Sequence, residues 1–193
     1  MNKEGTKIRS ATLTALIAVI LAGFAFSEKV IIPVAGASGK DWNQQTFWSY
    51  PWGVSGVHKG IDIFASEGTA IISSTPGIVV YAGYLELGGN VIAVLDSRCR
   101  IHYYAHLKTA FVTPRAYIRR GQPIGSVGAT GNAMGKPPHL HYAVITTLPY
   151  IWKMDRGRQG WKKMFFLNPA ELLTKTEGPA KRPFRSKRHY SFF

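Results

Sequence analysis

His139-Leu140-His141-Tyr142-Ala143-Val144 is the stretch whose reading decides the fold. Side chains on a β-strand alternate between two faces, so a strand here places His139 and His141 on one face. Leu140, Tyr142 and Val144 then point the other way, as an apolar anchor. Two further clusters repeat the plan. In His58-Lys59-Gly60-Ile61-Asp62, a strand puts His58, Gly60 and Asp62 on one face and Val57, Ile61 and Ile63 on the other, with Lys59 as the exception. Tyr103-Tyr104-Ala105-His106 is the third, and together the clusters use four of the six histidines.

The flanking sequence has the same β character. Lys59–Phe64 reads as a strand, Glu67-Gly68-Thr69 as a turn into Ala70–Ser73, and Pro76-Gly77 as a turn into Ile78–Ala82. Gly88-Gly89-Asn90 leads into Val91–Leu95, and Arg100–Leu107 carries His106. Gly121–Gly125 and Gly128–Asn132 read as tight glycine turns before the last cluster. Short β-branched runs punctuated by Gly and Pro are the signature of an all-β domain. Helix is expected only in an N-terminal apolar segment, with one turn at Pro169–Leu173.

The 193 residues suit one domain with extensions, and 46% hydrophobic residues supply a core. Lys3, Lys7 and Arg9 precede an uncharged apolar run, Ala11–Phe26. Such a run matches an export signal or a short anchor, with the positive flank left in the cytoplasm. Residues 1–37 are thus read as a signal peptide or membrane anchor, with Ala35-Gly36-Ala37 as a small-x-small cleavage signal. Residues 38–53 are read as an extended aromatic lead-in, from which Trp48 or Trp52 is a candidate wall of a groove. Residues 54–173 form the main domain and 174–193 a basic tail expected to be disordered.

The formal charge of +14 favours polyanionic partners, such as an anionic membrane or wall surface touched by the tail. No helix-turn-helix or aromatic RNA-binding signature is present, so no nucleic-acid partner is expected. Cys99 has no partner for an intramolecular disulfide and is read as a buried, inert thiol. His189, in the basic tail, carries no chemistry of its own.

A lone histidine on a strand is more often structural than a ligand, and an isolated H-x-H is weak. Three clusters in order within one short domain are a different matter. His58, Asp62 and His141 offer two imidazoles and a carboxylate to one zinc ion, leaving a fourth position open. A bound zinc acidifies water and polarises a carbonyl. Amide hydrolysis also needs a base and a donor for the oxyanion and leaving amine. His106 and His139 are the available pair. His102 stands four residues before His106, on the same face by alternation, and is read as a supporting residue or a bystander.

With these clusters stand Gly68-Thr-Ala, Gly77-Ile-Val, Gly121-Gln, Gly125, Thr130-Gly and Asn168-Pro169. Together they resemble the M23 peptidase family, the lysostaphin-like or LytM-type zinc endopeptidases of peptidoglycan. The resemblance covers about residues 54–146. It implies a compact antiparallel β-sheet or sandwich with zinc at the bottom of a groove. It also implies that His58, Asp62 and His141 are ligands and that His106 and His139 are catalytic. The substrate class it implies is peptidoglycan cross-links or stem peptides, cut by an exported monomer in the periplasm or cell envelope, free or inner-membrane anchored. Two alternatives stand beside it: a non-hydrolytic activator of other wall hydrolases, and a secreted zinc peptidase with a protein substrate. Family members that act as activators have lost ligands, whereas every ligand position is filled here. Lys136-Pro137-Pro138 makes the loop before His139 longer and stiffer than the simplest family pattern.

Overall fold

The computed structural model describes residues 29–174, together with Thr12 and Thr14. Of the expected signal or anchor segment, residues 1–28 apart from Thr12 and Thr14 lie outside them, as does the tail after Thr174. Among the described residues no helix is long and apolar enough to cross a membrane.

Among the described residues nine strands form one antiparallel sheet: β1 (Ile61–Phe64), β2 (Ala70–Ile72), β3 (Gly77–Leu85), β4 (Gly89–Leu95), β5 (Arg100–Ala110), β6 (Tyr117–Ile118), β7 (Pro123–Val127), β8 (His139–Thr146) and β9 (Phe166–Leu167). The order is β1-β8-β5-β4-β3-β6, with β9 on β8 and the pair β2-β7 attached to β5. β5 makes the branch possible. Arg100–Ala105 pair with β8, whereas Leu107–Ala110 pair with β7, and the switch falls at His106. A helix, α1 (Pro169–Thr174), follows β9, where a helical turn was expected.

Alternation holds on the strands that matter. Ile61 and Ile63 of β1 and Leu140, Tyr142 and Val144 of β8 are all fully buried in the core. Two expectations are corrected. The strand expected from Lys59 begins only at Ile61, so His58 precedes it. The expected turn at Gly121–Gly125 gives way at Pro123 to β7. Proline needs no ladder hydrogen bond at the first residue of a strand, and Ile124 and Val127 gain a place in the core.

The aromatic lead-in packs across the domain through Trp42, which is buried in the core. The segment before it packs as well. Val30 and Val34 are buried in the core, and Val34 bridges to Ile71 of β2. Ile31 N–H donates to the Ser74 carbonyl at 3.0 Å and Ala35 N–H to the Ala70 carbonyl at 3.0 Å.

Candidate metal centre

The register of β1 against β8 sets Asp62 directly opposite His141. His58 joins them from the turn before β1. Its backbone N–H donates to Ser49 O at 3.0 Å, its carbonyl accepts from Trp48 N–H at 2.7 Å, and its ring stacks on Trp52 at 4.0 Å. Three donor atoms thereby converge. His58 Nε2 lies 3.1 Å from Asp62 Oδ1 and 3.2 Å from His141 Nδ1, and His141 Nδ1 lies 2.8 Å from the same Oδ1. Ligands at 2.0–2.1 Å on a tetrahedral zinc stand about 3.3 Å apart, so the three residues fit such an ion with little adjustment.

The His58 ring is also held in the tautomer a ligand needs. His58 Nδ1–H donates to Thr46 O at 3.1 Å, leaving Nε2 with a free lone pair. A backbone carbonyl only accepts, so the partner dictates which nitrogen carries the proton. His139 Nδ1–H donates to Pro137 O at 2.8 Å and His106 Nδ1–H to Thr130 O at 2.9 Å, leaving Nε2 free on both. These two rings meet edge to face at 5.1 Å, and His106 is 5.9 Å from the His141 ring. The three acceptor carbonyls of Thr46, Thr130 and Pro137 carry no signal in the sequence, because any residue supplies one.

His106 reaches the site by a break in alternation. Strict alternation puts it with His102 and Tyr104, both fully buried on the core face. His106 instead has φ +65°, a left-handed conformation that is uncommon outside glycine. That turn moves its ring to the face of Tyr103 and Ala105, which line the groove. The expectation that His102 shares the face of His106 is therefore corrected. His102 lies in a separate buried network. Its Nε2 is 3.1 Å from Asp96 Oδ2, and its Nδ1 is 2.7 Å from the Tyr142 hydroxyl and 3.2 Å from Ser74 Oγ. Arg100 Nε donates to the same Asp96 oxygen at 2.6 Å.

Burial alone would raise the Asp62 carboxyl, but the imidazoles of His141 and His58 beside it hold it well below the ordinary carboxylate range. Burial lowers His106 to about 4, helped by the neighbouring imidazoles of His141 and His139. Burial also lowers His141, against the pull of Asp62. At neutral pH the site thus presents the Asp62 carboxylate and an uncharged His141, the forms that metal binding requires, beside an uncharged His106.

The five residues sit in a groove of about 640 Å³ whose walls include Trp52, Phe64, Tyr103 and Phe166. Of the two candidate tryptophans, Trp52 lines it. Trp48 instead packs on Phe166 at 5.7 Å and donates Nε1–H to Arg158 O at 3.2 Å. Cys99 is half-buried, not buried, in a turn where its φ is +57°.

A β-sheet floor thus brings a His-Asp-His triad whose donor atoms could hold a metal ion, and two further histidines, into one groove. Residues 56–151 match the model of Peptidase family M23, and the chain carries a domain of that family. It is 34% identical to the L-Ala--D-Glu endopeptidase of Bacillus subtilis over 130 residues, 63% of this chain and 37% of that protein. It is 38% identical to the murein hydrolase activator NlpD of Escherichia coli over 90 residues, 46% of this chain and 23% of that protein. The solved catalytic domain of lysostaphin from Staphylococcus simulans superposes with a TM-score of 0.55 at 26% identity, covering 70% of this chain and 95% of that domain. The chain thus spans well under half the length of these two curated relatives.

Proposed function

We propose that the chain is a zinc-dependent endopeptidase that hydrolyses cross-linking or stem peptides of bacterial peptidoglycan, at the cell envelope. The convergence of His58 Nε2, Asp62 Oδ1 and His141 Nδ1 beside two carbonyl-anchored histidines carries this reading. His58, Asp62 and His141 would hold one zinc ion, which supplies Lewis acidity toward a peptide carbonyl and acidifies water. The chain's own residues do the rest. Trp52 keeps the His58 ring in plane, and Thr46 O keeps its proton on Nδ1. His139 and His106 each turn a free Nε2 to the reacting amide, one to accept the proton of the attacking water and one to serve the oxyanion and leaving amine. Trp52, Phe64 and Tyr103 wall the groove and thin the water around these exchanges.

The test is incubation of the zinc-loaded chain with purified sacculi, with released muropeptides identified by mass spectrometry beside His139→Ala. Conversion of cross-linked dimers to monomers by the wild type alone is expected. Equal conversion by His139→Ala would remove the role given to that ring. The similarity to NlpD favours one second reading, a non-hydrolytic activator of other wall hydrolases. It gains if neither protein releases muropeptides while both bind zinc and the wild type accelerates an added amidase.

A further inference from the structure

Between β8 and β9 the chain makes an excursion, residues 147–165, that supplies none of the five site residues. Two 3₁₀ helices, Ile151–Lys153 and Gly160–Phe165, are joined by Tyr150 N–H donating to Met164 O at 2.8 Å. Further bonds tie the excursion to the segment before β1: Gln159 Nε2 donates to Ser55 O at 3.0 Å, beside the Trp48–Arg158 bond already described. It is a built element, yet it leaves large apolar side chains in water. Trp152 is 78% exposed, Ile151 63%, Trp161 56% and Met154 47%. Lys153, Arg156, Arg158, Lys162 and Lys163 accompany them, against Asp155 alone as an acidic residue, which pairs with Lys163. Lys162 Nζ stands 5.5 Å from the Trp161 ring centre.

A folded element that exposes tryptophans together with cations is explained by a surface that takes both. We propose that residues 147–165 dock the domain on the anionic face of a lipid bilayer. Tryptophan partitions to the headgroup level of a bilayer, where its apolar body and polar N–H are both satisfied. The cations meet anionic headgroups in the same plane. A water-soluble polyanion would engage the cations but offers nothing to Trp152, Ile151 and Met154. The sequence agrees, since the apolar run Ala11–Phe26 would bring the domain to a membrane. Ser55 and Phe166, which border the excursion, also line the groove. Docking therefore holds the groove close to the bilayer.

Tryptophan fluorescence of the full chain tests this directly. All five tryptophans lie after residue 28, so the apolar N-terminal run is silent. Vesicles with brominated acyl chains quench only tryptophans that reach the interface, and two sets are compared, zwitterionic alone and with roughly 30% anionic lipid. Stronger quenching on anionic vesicles is expected, with at least half of it lost in the double variant Trp152→Phe, Trp161→Phe. Arg156→Ser with Arg158→Ser, or salt well above ~0.15 M, should weaken it too. Equal quenching on both vesicle types overturns the proposal, as does quenching that survives the double tryptophan variant. Binding of a soluble polyphosphate through Arg156 and Arg158, without quenching on vesicles, also overturns it and points to a wall polymer.

Discussion

Gly60 controls the site without touching substrate. A Cβ there would overlap the Tyr142 carbonyl oxygen and the His141 imidazole. Gly60→Ala should therefore push His141 off Asp62, weakening zinc binding at least tenfold and costing about 1–3 kcal/mol as an overpacked position. Zinc titration and thermal melting check both effects. At His139 the expectation is the opposite: a ring whose Nδ1 is bonded to Pro137 O, and not to any of the three converging donor atoms, is removable without disturbing them. His139→Ala should keep its zinc and melting temperature while losing about 10²–10⁴ in rate. A variant that loses zinc along with activity would show His139 to be part of the metal site itself.

At the scale of the element, β5 is the strand on which the site depends. Its pairing changes from β8 to β7 at His106, where the left-handed φ turns the ring from the core to the groove. Two substitutions separate the backbone demand from the imidazole. Asparagine tolerates this conformation, whereas a β-branched residue is a genuine outlier there. His106→Asn and His106→Val should both lose activity, with valine less stable by about 1–2 kcal/mol, read by chemical denaturation. Equal stability of the two would mean that the strand reverts to regular alternation when the histidine is gone.

The whole molecule adds two expectations. The network of Asp96, Arg100, His102, Tyr142 and Ser74 pins β5 to β8 from the core side, beneath the proposed ligand His141. Burial lowers His102 below its ordinary value, with Asp96 opposing. Burial would raise Asp96, but His102 and Arg100 bring it down to about 2. In both cases the unfolded chain binds the proton more tightly, so stability rises with pH through each window. It should fall below about pH 6.5 as the unfolded-state His102 takes a proton, and again as pH drops from about 4 toward 2. Denaturation curves across that range read the effect, and in Asp96→Asn the lower step should shrink, leaving the part that Asp62 contributes. The second expectation concerns the amino-terminal end of the domain. Val30 and Val34 are core residues, each worth about 1.5–3 kcal/mol when fully buried. A chain beginning at Ser38 should melt below one beginning at Lys29, and equal melting would make the 29–37 segment a passive passenger.

Much of this architecture is legible in the amino-acid sequence. Period 2 in Leu140, Tyr142 and Val144 against His139 and His141 follows from strand geometry alone, so the sequence by itself determined the β class, the inward apolar face and the candidate ligands. What it did not determine follows from long-range pairing. The register that faces Asp62 with His141 joins residues 79 positions apart. The flip at His106 breaks the very periodicity from which a face is read, which is why alternation wrongly assigns His102 and His106 to one face. The backbone carbonyls that select each tautomer are anonymous in sequence, and β7 is hidden there because its glycine and proline resemble a turn until Leu107 and Ile71 are placed beside it. Local alternation is a property of the chain. Convergence of distant donors, and the one residue that must leave its strand conformation to join them, are properties only of the packed sheet.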